Sequence, residues 1–242
     1  MKLNTNYKIL SFAIVFLTIV ACTKDDNTAN LVIKASANYT KSKAGSNLAQ
    51  VELSKFIVNI EKIELEYDDD QFENDGENSD QYEDLYEDAE FYGPFELDLL
   101  GSTSEIRITD AAVPFDTFEE IEFDMAKGRV DGSEMFGKSI LAEGSIDGTP
   151  FIFWHDTDDE FEVDYPNANQ DLTITGNGEV IVINFNLDRV FGVTSSIDLS
   201  SATDGNNDGL IEIYPGDPDG NSQLAHSIKE LIHDHTELGD DD

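Results

Sequence analysis

The sequence predicts a mainly β chain, an antiparallel β-sandwich with one C-terminal α-helix packed against it. Three observations carry that prediction. Apolar and polar residues alternate in many short runs, the period of half-buried strands. Turn residues separate those runs. One stretch near the end has helical period instead.

Taken in order, "LVIKASANY" (Leu31 to Tyr39) is the first strand. In "VELSKFIVNIEKIELEY" (Val51 to Tyr67), Phe56, Val58 and Ile60 alternate, then Ile63, Leu65 and Tyr67 alternate on the opposite phase. Such a slip predicts a bulge near Glu61 and Lys62. Residues 68–94 form an acidic loop rich in Asn, Gly and Ser, whose self-repulsion favours an extended chain. Its aromatics, Tyr82 and Tyr86 among them, are candidate ligand contacts.

"FELDLL" and "SEIRIT" follow as strands. In "FEEIEFDMAKG", Ile121, Phe123 and Met125 face one way and Glu120, Glu122 and Asp124 the other. "GKSILAEGSIDGTPFIFWHD" is a hairpin turning at Asp147-Gly148. "EFEVDY", "DLTIT" and "GEVIVINFNL" complete the strands, the last with Ile183, Phe185 and Leu187 on one face. In "NSQLAHSIKELIHDHTEL", Leu224, Ile228, Leu231 and Ile232 make an apolar helical stripe, with Asn221 or Ser222 as cap and Gly239 past the end.

The chain opens "MKLNTNYKILSFAIVFLTIVAC", with Lys2 and Lys8, an apolar run from Ile9 to Val20, then Ala21 and Cys22. That is the three-part form of a signal peptide, residues 1–21, and the run is too short for a spanning helix. "IVAC" resembles a bacterial lipobox, which implies that Cys22 carries the lipid and that residues 22–30 are a tether. The acyl chains would then hold the protein to a bilayer. "TKDD" resembles the export signal of Bacteroidota-type surface lipoproteins, with Lys24, Asp25 and Asp26 in that role. The resemblance implies an outer-membrane protein facing the outside, the periplasmic face being the alternative. Cys22 is the only cysteine, so no intramolecular disulfide can form.

Beyond Cys22 lie about 220 residues, enough for a core without disulfides. Residues 31–200 make the sandwich and 201–242 an Asp/Asn/Gly loop plus the helix. The chain has 52 acidic against 14 basic residues, a formal net charge of −38. Such a field repels phosphate backbones, which excludes nucleic acid as a partner, and favours Ca²⁺.

Asp204-x-Asn206-x-Asp208-Gly209 spaces oxygen side chains at alternate positions before a turn-permitting glycine. Leu210 offers a carbonyl and Glu212 a ninth-position carboxylate. The segment resembles an EF-hand or dockerin-type calcium loop. It departs from that pattern at the twelfth position, which is Pro215, so Asp217 or Asp219 would have to complete the ligand set. An ion-free Asp/Asn/Gly turn is the alternative.

His226, Glu230 and His233 share a helical face at metal-ligand spacing, equally the spacing of a solvent-facing stripe. "FWHDTDDEF" sets Trp154 and His155 beside Asp156, Asp158 and Asp159; Trp154 suits either a sugar platform or a core position. G-x-S-x-G and H-E-x-x-H are both missing from the sequence.

"VNIEKIEL", "FELDLLG", "FDTFEEIEFDMAKG" and "GKSILAEGSIDGTPFIF" resemble segments of a family of bacterial lipoproteins with a transthyretin- or immunoglobulin-like sandwich, a family without an agreed activity. The tail from Asp204 is similar to the C-terminal piece of related marine and gut surface lipoproteins. The expectation is a lipid-anchored, non-enzymatic binding or structural module, calcium-stabilised, with a glycan or surface-protein partner. The competing expectation is a polysaccharide-acting hydrolase using paired carboxylates.

Overall fold

The computed structural model describes residues 28–40, 49–67, 89–101, 105–114, 117–163, 172–176, 178–192 and 194–240. The expected signal peptide, residues 1–21, and Cys22, Lys24, Asp25, Asp26, Tyr82 and Tyr86 lie outside them. The chain is a β-sandwich built from β1 (Thr28–Asn38), β2 (Val51–Tyr67), β3 (Ala89–Asp98), β4 (Glu105–Pro114), β5 (Thr117–Met125), β6 (Ile140–Ile146), β7 (Thr149–His155), β8 (Glu160–Val163), β9 (Leu172–Thr173), β10 (Glu179–Asn186), β11 (Ile211–Ile213) and β12 (Thr236–Asp240). A short α1 (Leu187–Val190) and the longer α2 (Ser222–Asp234) are its helices.

One sheet has the order β12-β10-β1-β4. The other runs β11-β7-β6-β2-β5-β8, with β3 also on β2 and β9 on β5. Alternation turns Leu31, Ile33 and Ala35 of β1 inward, fully buried, towards Phe56, Val58 and Ile60 of β2. Phe185 of β10 bridges the layers, its ring 5.9 Å from Phe56 and 6.1 Å from Phe123.

The long strand β2 organises its sheet as a fork. Ile57 and Val58 pair with both β3 and β6, whereas Ile60 and Ile63 pair with both β3 and β5. β6 and β5 therefore share one side of β2, one after the other. Asn59 sits where they part, with its amide N–H on Ser139 O at 2.8 Å. Both upper ladders shift register between Ile60 and Lys62. The extra residue there lets Ile60 and Ile63 both face the core, which is why the sequence changes phase.

The β6–β7 hairpin turns on Asp147 and Gly148, at φ 50° and 83°, the left-handed pair that a two-residue turn requires. Two pairings, β1 with β10 and β11 with β7, are parallel rather than antiparallel. β3 begins at Ala89, inside the expected acidic loop.

The end of the chain also differs from the sequence reading. The helix stops at Asp234, and Gly239 lies within β12 opposite Val182 instead of capping the helix. Thr236 Oγ1 donates to Ile232 O at 2.6 Å, closing the last turn, and Leu238 is buried. A buried Leu two residues past a β-branched Thr suits strand spacing better than continued helix. The tail beyond residue 201 thus adds one strand to each sheet.

Candidate cation loop and its surroundings

The loop between Thr203 and Ser222 is held almost entirely by its own carboxylates and amides. Asp204 Oδ1 accepts from Asp208 N at 3.1 Å and its Oδ2 from Gly209 N at 2.9 Å. Asn206 Oδ1 also accepts from Asp208 N, at 2.9 Å, and Asp208 Oδ1 from Leu210 N at 2.9 Å. Each side chain folds back on backbone N–H groups just ahead of it, the local bonding of Asx turns. Gly209, at φ +91°, makes the turn that this requires.

Glu212 joins the group from β11. Its Oε2 accepts from Asn206 Nδ2 at 3.1 Å, and the same amide donates to Asp208 Oδ2 at 3.2 Å. An amide N–H group therefore lies between two carboxylates, the place a small cation would favour. Leu210 takes part through its N–H.

Asp217 and Asp219 are buried and also bond to neighbouring N–H and O–H groups. Asp219 accepts from Asn206 N at 3.0 Å through one oxygen and from Glu212 N at 2.8 Å through the other, tying the start of the loop to β11. The two segments run so close that a Cβ on Gly205 would lie 2.5 Å from Asp219 O. Asp217 accepts from Asn221 N and Ser222 Oγ at 2.8 and 2.9 Å. Asn221, expected as a helix cap, makes no cap bond with its side chain; its Nδ2 donates to Thr203 O and Glu212 O at 2.8 Å each.

The loop is coupled to an aromatic pair. Tyr214 OH donates to Glu212 Oε1 at 2.5 Å, a bond that, helped by burial, pushes the phenol up to about 12. Its ring stacks on Trp154 with centroids 4.7 Å apart and planes 17° from parallel. Trp154, a candidate ligand contact, also packs against an apolar cluster of Ile57, Met135 and Leu141 outside the main core. Met135 reaches that cluster from the segment between β5 and β6, where Gly128 lets the chain close on itself: a Cβ there would lie 2.4 Å from Met135 O.

The two remaining candidate stretches meet at Lys229. This buried side chain of α2 donates to Asp159 Oδ2 and approaches Glu230 Oε1, each at 2.6 Å. Burial works against the ammonium, but its hydrogen bonds to Asp159 and Glu230 outweigh burial and hold it above its usual value. The Lys229 bond also holds Asp159 below the usual carboxylate range. Asp156 and Asp158 face Lys127 at 3.4 and 3.6 Å. Burial lowers the His155 imidazole. His233 packs edge-on against Phe161 at 4.7 Å, while His226 lies 3.9 Å from Glu230, so the helical His/Glu trio does not converge on one point.

Among the described residues, the three carboxylates whose oxygens all lie within 4.8 Å of one another are Glu122, Glu160 and Glu162. Glu162 and Glu122 belong to a row of glutamates, Glu90, Glu64, Glu122 and Glu162, directly opposite one another across β3, β2, β5 and β8. Lys62 relieves part of it through Glu64 and Glu90.

Sequence reasoning missed Lys229 and Asn59. A signal existed for both: Lys229 adjoins the apolar stripe at Ile228, and Asn59 interrupts an apolar alternation. Comparison with protein-family models, with curated proteins and with solved structures found no match.

Proposed function

We propose that the chain is a lipid-anchored cell-surface binding or structural module whose Asp204–Asn221 loop takes up Ca²⁺. The observation that carries the reading is the Asp204-x-Asn206-x-Asp208-Gly209 spacing together with the Asn206 amide held between the Asp208 and Glu212 carboxylates, at 3.2 and 3.1 Å. Hard oxygen donors of this kind suit Ca²⁺, and Asn206 would turn its amide to admit the ion. The residues assigned to the ion are Asp204, Asn206, Asp208, the Leu210 carbonyl and Glu212, with Asp217 and Asp219 as the frame that positions them. The ion would pin β11 and the start of α2 to the sandwich. The anchor is Cys22, and among the described residues no helix is long and apolar enough to cross a membrane. The module would present its loops to a glycan or a protein from the outer face of the outer membrane.

Calorimetric titration of Ca²⁺ into the chelator-stripped chain beginning at residue 22 tests the cation site, with Mg²⁺ and Asp208→Ala as controls. Saturable Ca²⁺ binding that Asp208→Ala abolishes is expected. Absence of heat in the parent chain reduces the loop to a turn.

A further inference from the structure

We infer that the sandwich stands on the membrane by its Thr28 end and turns the Asp204–Glu212 loop away from it. The inference rests on the proposed lipidation of Cys22. Five residues separate Cys22 from Thr28, and fully extended they span about 20 Å. The Thr28 end of β1 therefore stays close to the headgroups, and strand pairing says what stands with it.

Thr28 pairs with Pro114 at the end of β4. Only residues 115–116 then lead to β5, where Phe118 pairs with Tyr67 at the end of β2 and Thr117 with Thr173. Leu65 pairs with Ala89 at the start of β3. Tyr67 and Ala89 thus both stand at the tethered end.

The opposite end begins where β1 finishes. Tyr39 OH donates to Val51 O at 2.8 Å, so the start of β2 lies there. Val51 pairs with Ile146, and Gln50 N donates to Asp147 Oδ1 at 2.8 Å, which places the β6–β7 turn beside it. From that turn β7 runs parallel to β11, Phe151 opposite Ile211, so the residues leading into Ile211 are those of the cation loop. A strand the length of β1, about 33 Å from end to end, separates the two ends.

The upright posture has an electrostatic reason as well. Lying on its eight-stranded face would press the Glu90–Glu64–Glu122–Glu162 row against headgroups, which anionic lipid resists within a Debye length. The outward end carries Asp147, Asp188, Asp204 and Asp208.

The test uses the lipidated full-length protein in vesicles of phosphatidylethanolamine and phosphatidylglycerol, some bearing a nitroxide on the headgroup. With Cys22 acylated, a cysteine added by Asn30→Cys or Ser196→Cys is the only free thiol for a fluorophore. Both positions are exposed, Asn30 near the start of β1 and Ser196 between Ser195 and Ile197, which line a crevice with Ala49 and Val51. Loss of emission at position 30 with emission retained at position 196 is expected. Equal quenching, or the reverse order, overturns the posture while leaving the anchor intact. Failure of the protein to float with the vesicles overturns the anchor, and the posture with it.

Discussion

Asn59 and Ala126 hold each other twice: Asn59 Nδ2 donates to Ala126 O at 2.6 Å, and Ala126 N donates to Asn59 O at 3.1 Å. The pair closes the fork in β2, where neither β5 nor β6 supplies a full ladder. An Asn59→Leu variant keeps much of the volume but leaves a carbonyl of a buried residue without its donor. The expected cost is about 2 kcal/mol. It should read as a lower urea midpoint at unchanged slope, and a parent-like midpoint would remove the fork from the list of structural keystones.

Lys229 and Asp159 form an unequal pair, since the Lys229 side chain is 11% exposed and that of Asp159 49%. Removing the acid strands a buried cation with only Glu230; removing the cation frees an acid that water already reaches. Asp159→Asn is therefore expected to cost about 1–2 kcal/mol and Lys229→Met to be close to neutral. The depressed Asp159 carboxyl stabilises the fold above about pH 4 and ceases to as pH falls through its folded value. The raised Lys229 ammonium contributes below 10.5 and is lost as pH rises past its folded value. Thermal melts of both variants from pH 2 to 11 check the order and the window.

Tyr214 should report on its own bond to Glu212. Its phenol is raised from 10.0 to about 12, so the stabilisation is complete below pH 10 and disappears as pH climbs towards 12. Difference absorbance of the parent against Tyr214→Phe should place this ionisation above the ordinary tyrosine range. Titration near 10 would mean that the bond does not form in solution.

Four glutamates in one cross-strand row invite relief. Glu162→Gln is expected to stabilise by about 0.5 kcal/mol at low salt, because like charges directly opposite repel. The gain should fade in 1 M salt, where the Debye length is about 3 Å. A gain that salt leaves untouched would have to come from something other than charge.

If the loop binds Ca²⁺ as proposed, saturation at one hundred times Kd stabilises the fold by about 2.7 kcal/mol, and chelator removes it. Trp154 is the only tryptophan and stacks on Tyr214, so its emission should shift in the same titration. Stabilisation by Mg²⁺ equal to that by Ca²⁺ would argue for general screening instead.

Alternation made the sandwich legible. Phe56, Val58 and Ile60 against Ile63 and Leu65 disclosed both a strand and its bulge, because a change of phase has few other physical causes. Strand order was not legible, since nothing local in "LVIKASANY" says that its neighbour is "VIVINFN", far along the chain. β12 was hidden because "HTELGD" is short, polar and continuous with a strong helix. In the loop before β11 the spacing revealed the turn at Gly209 and the carboxylates that fold back on its N–H groups. It did not reveal that Asp217 and Asp219 are buried and hold the loop to β11 and α2, since a carboxylate that holds backbone and one that holds an ion look alike in sequence.

The parallel pairing of β1 with β10 also bears on the order in which the protein can assemble. Ser36 and Asn184 touch across 148 residues, and β12 joins the same sheet only at the very end of the chain. Until β10 has been synthesised, β1 has β4 on one side and an open hydrogen-bonding edge on the other. Contacts of such long range close slowly. Truncation before Glu179 should therefore leave a protease-sensitive chain without a cooperative melt, and a folded fragment of that length would show that the core closes without its central partner.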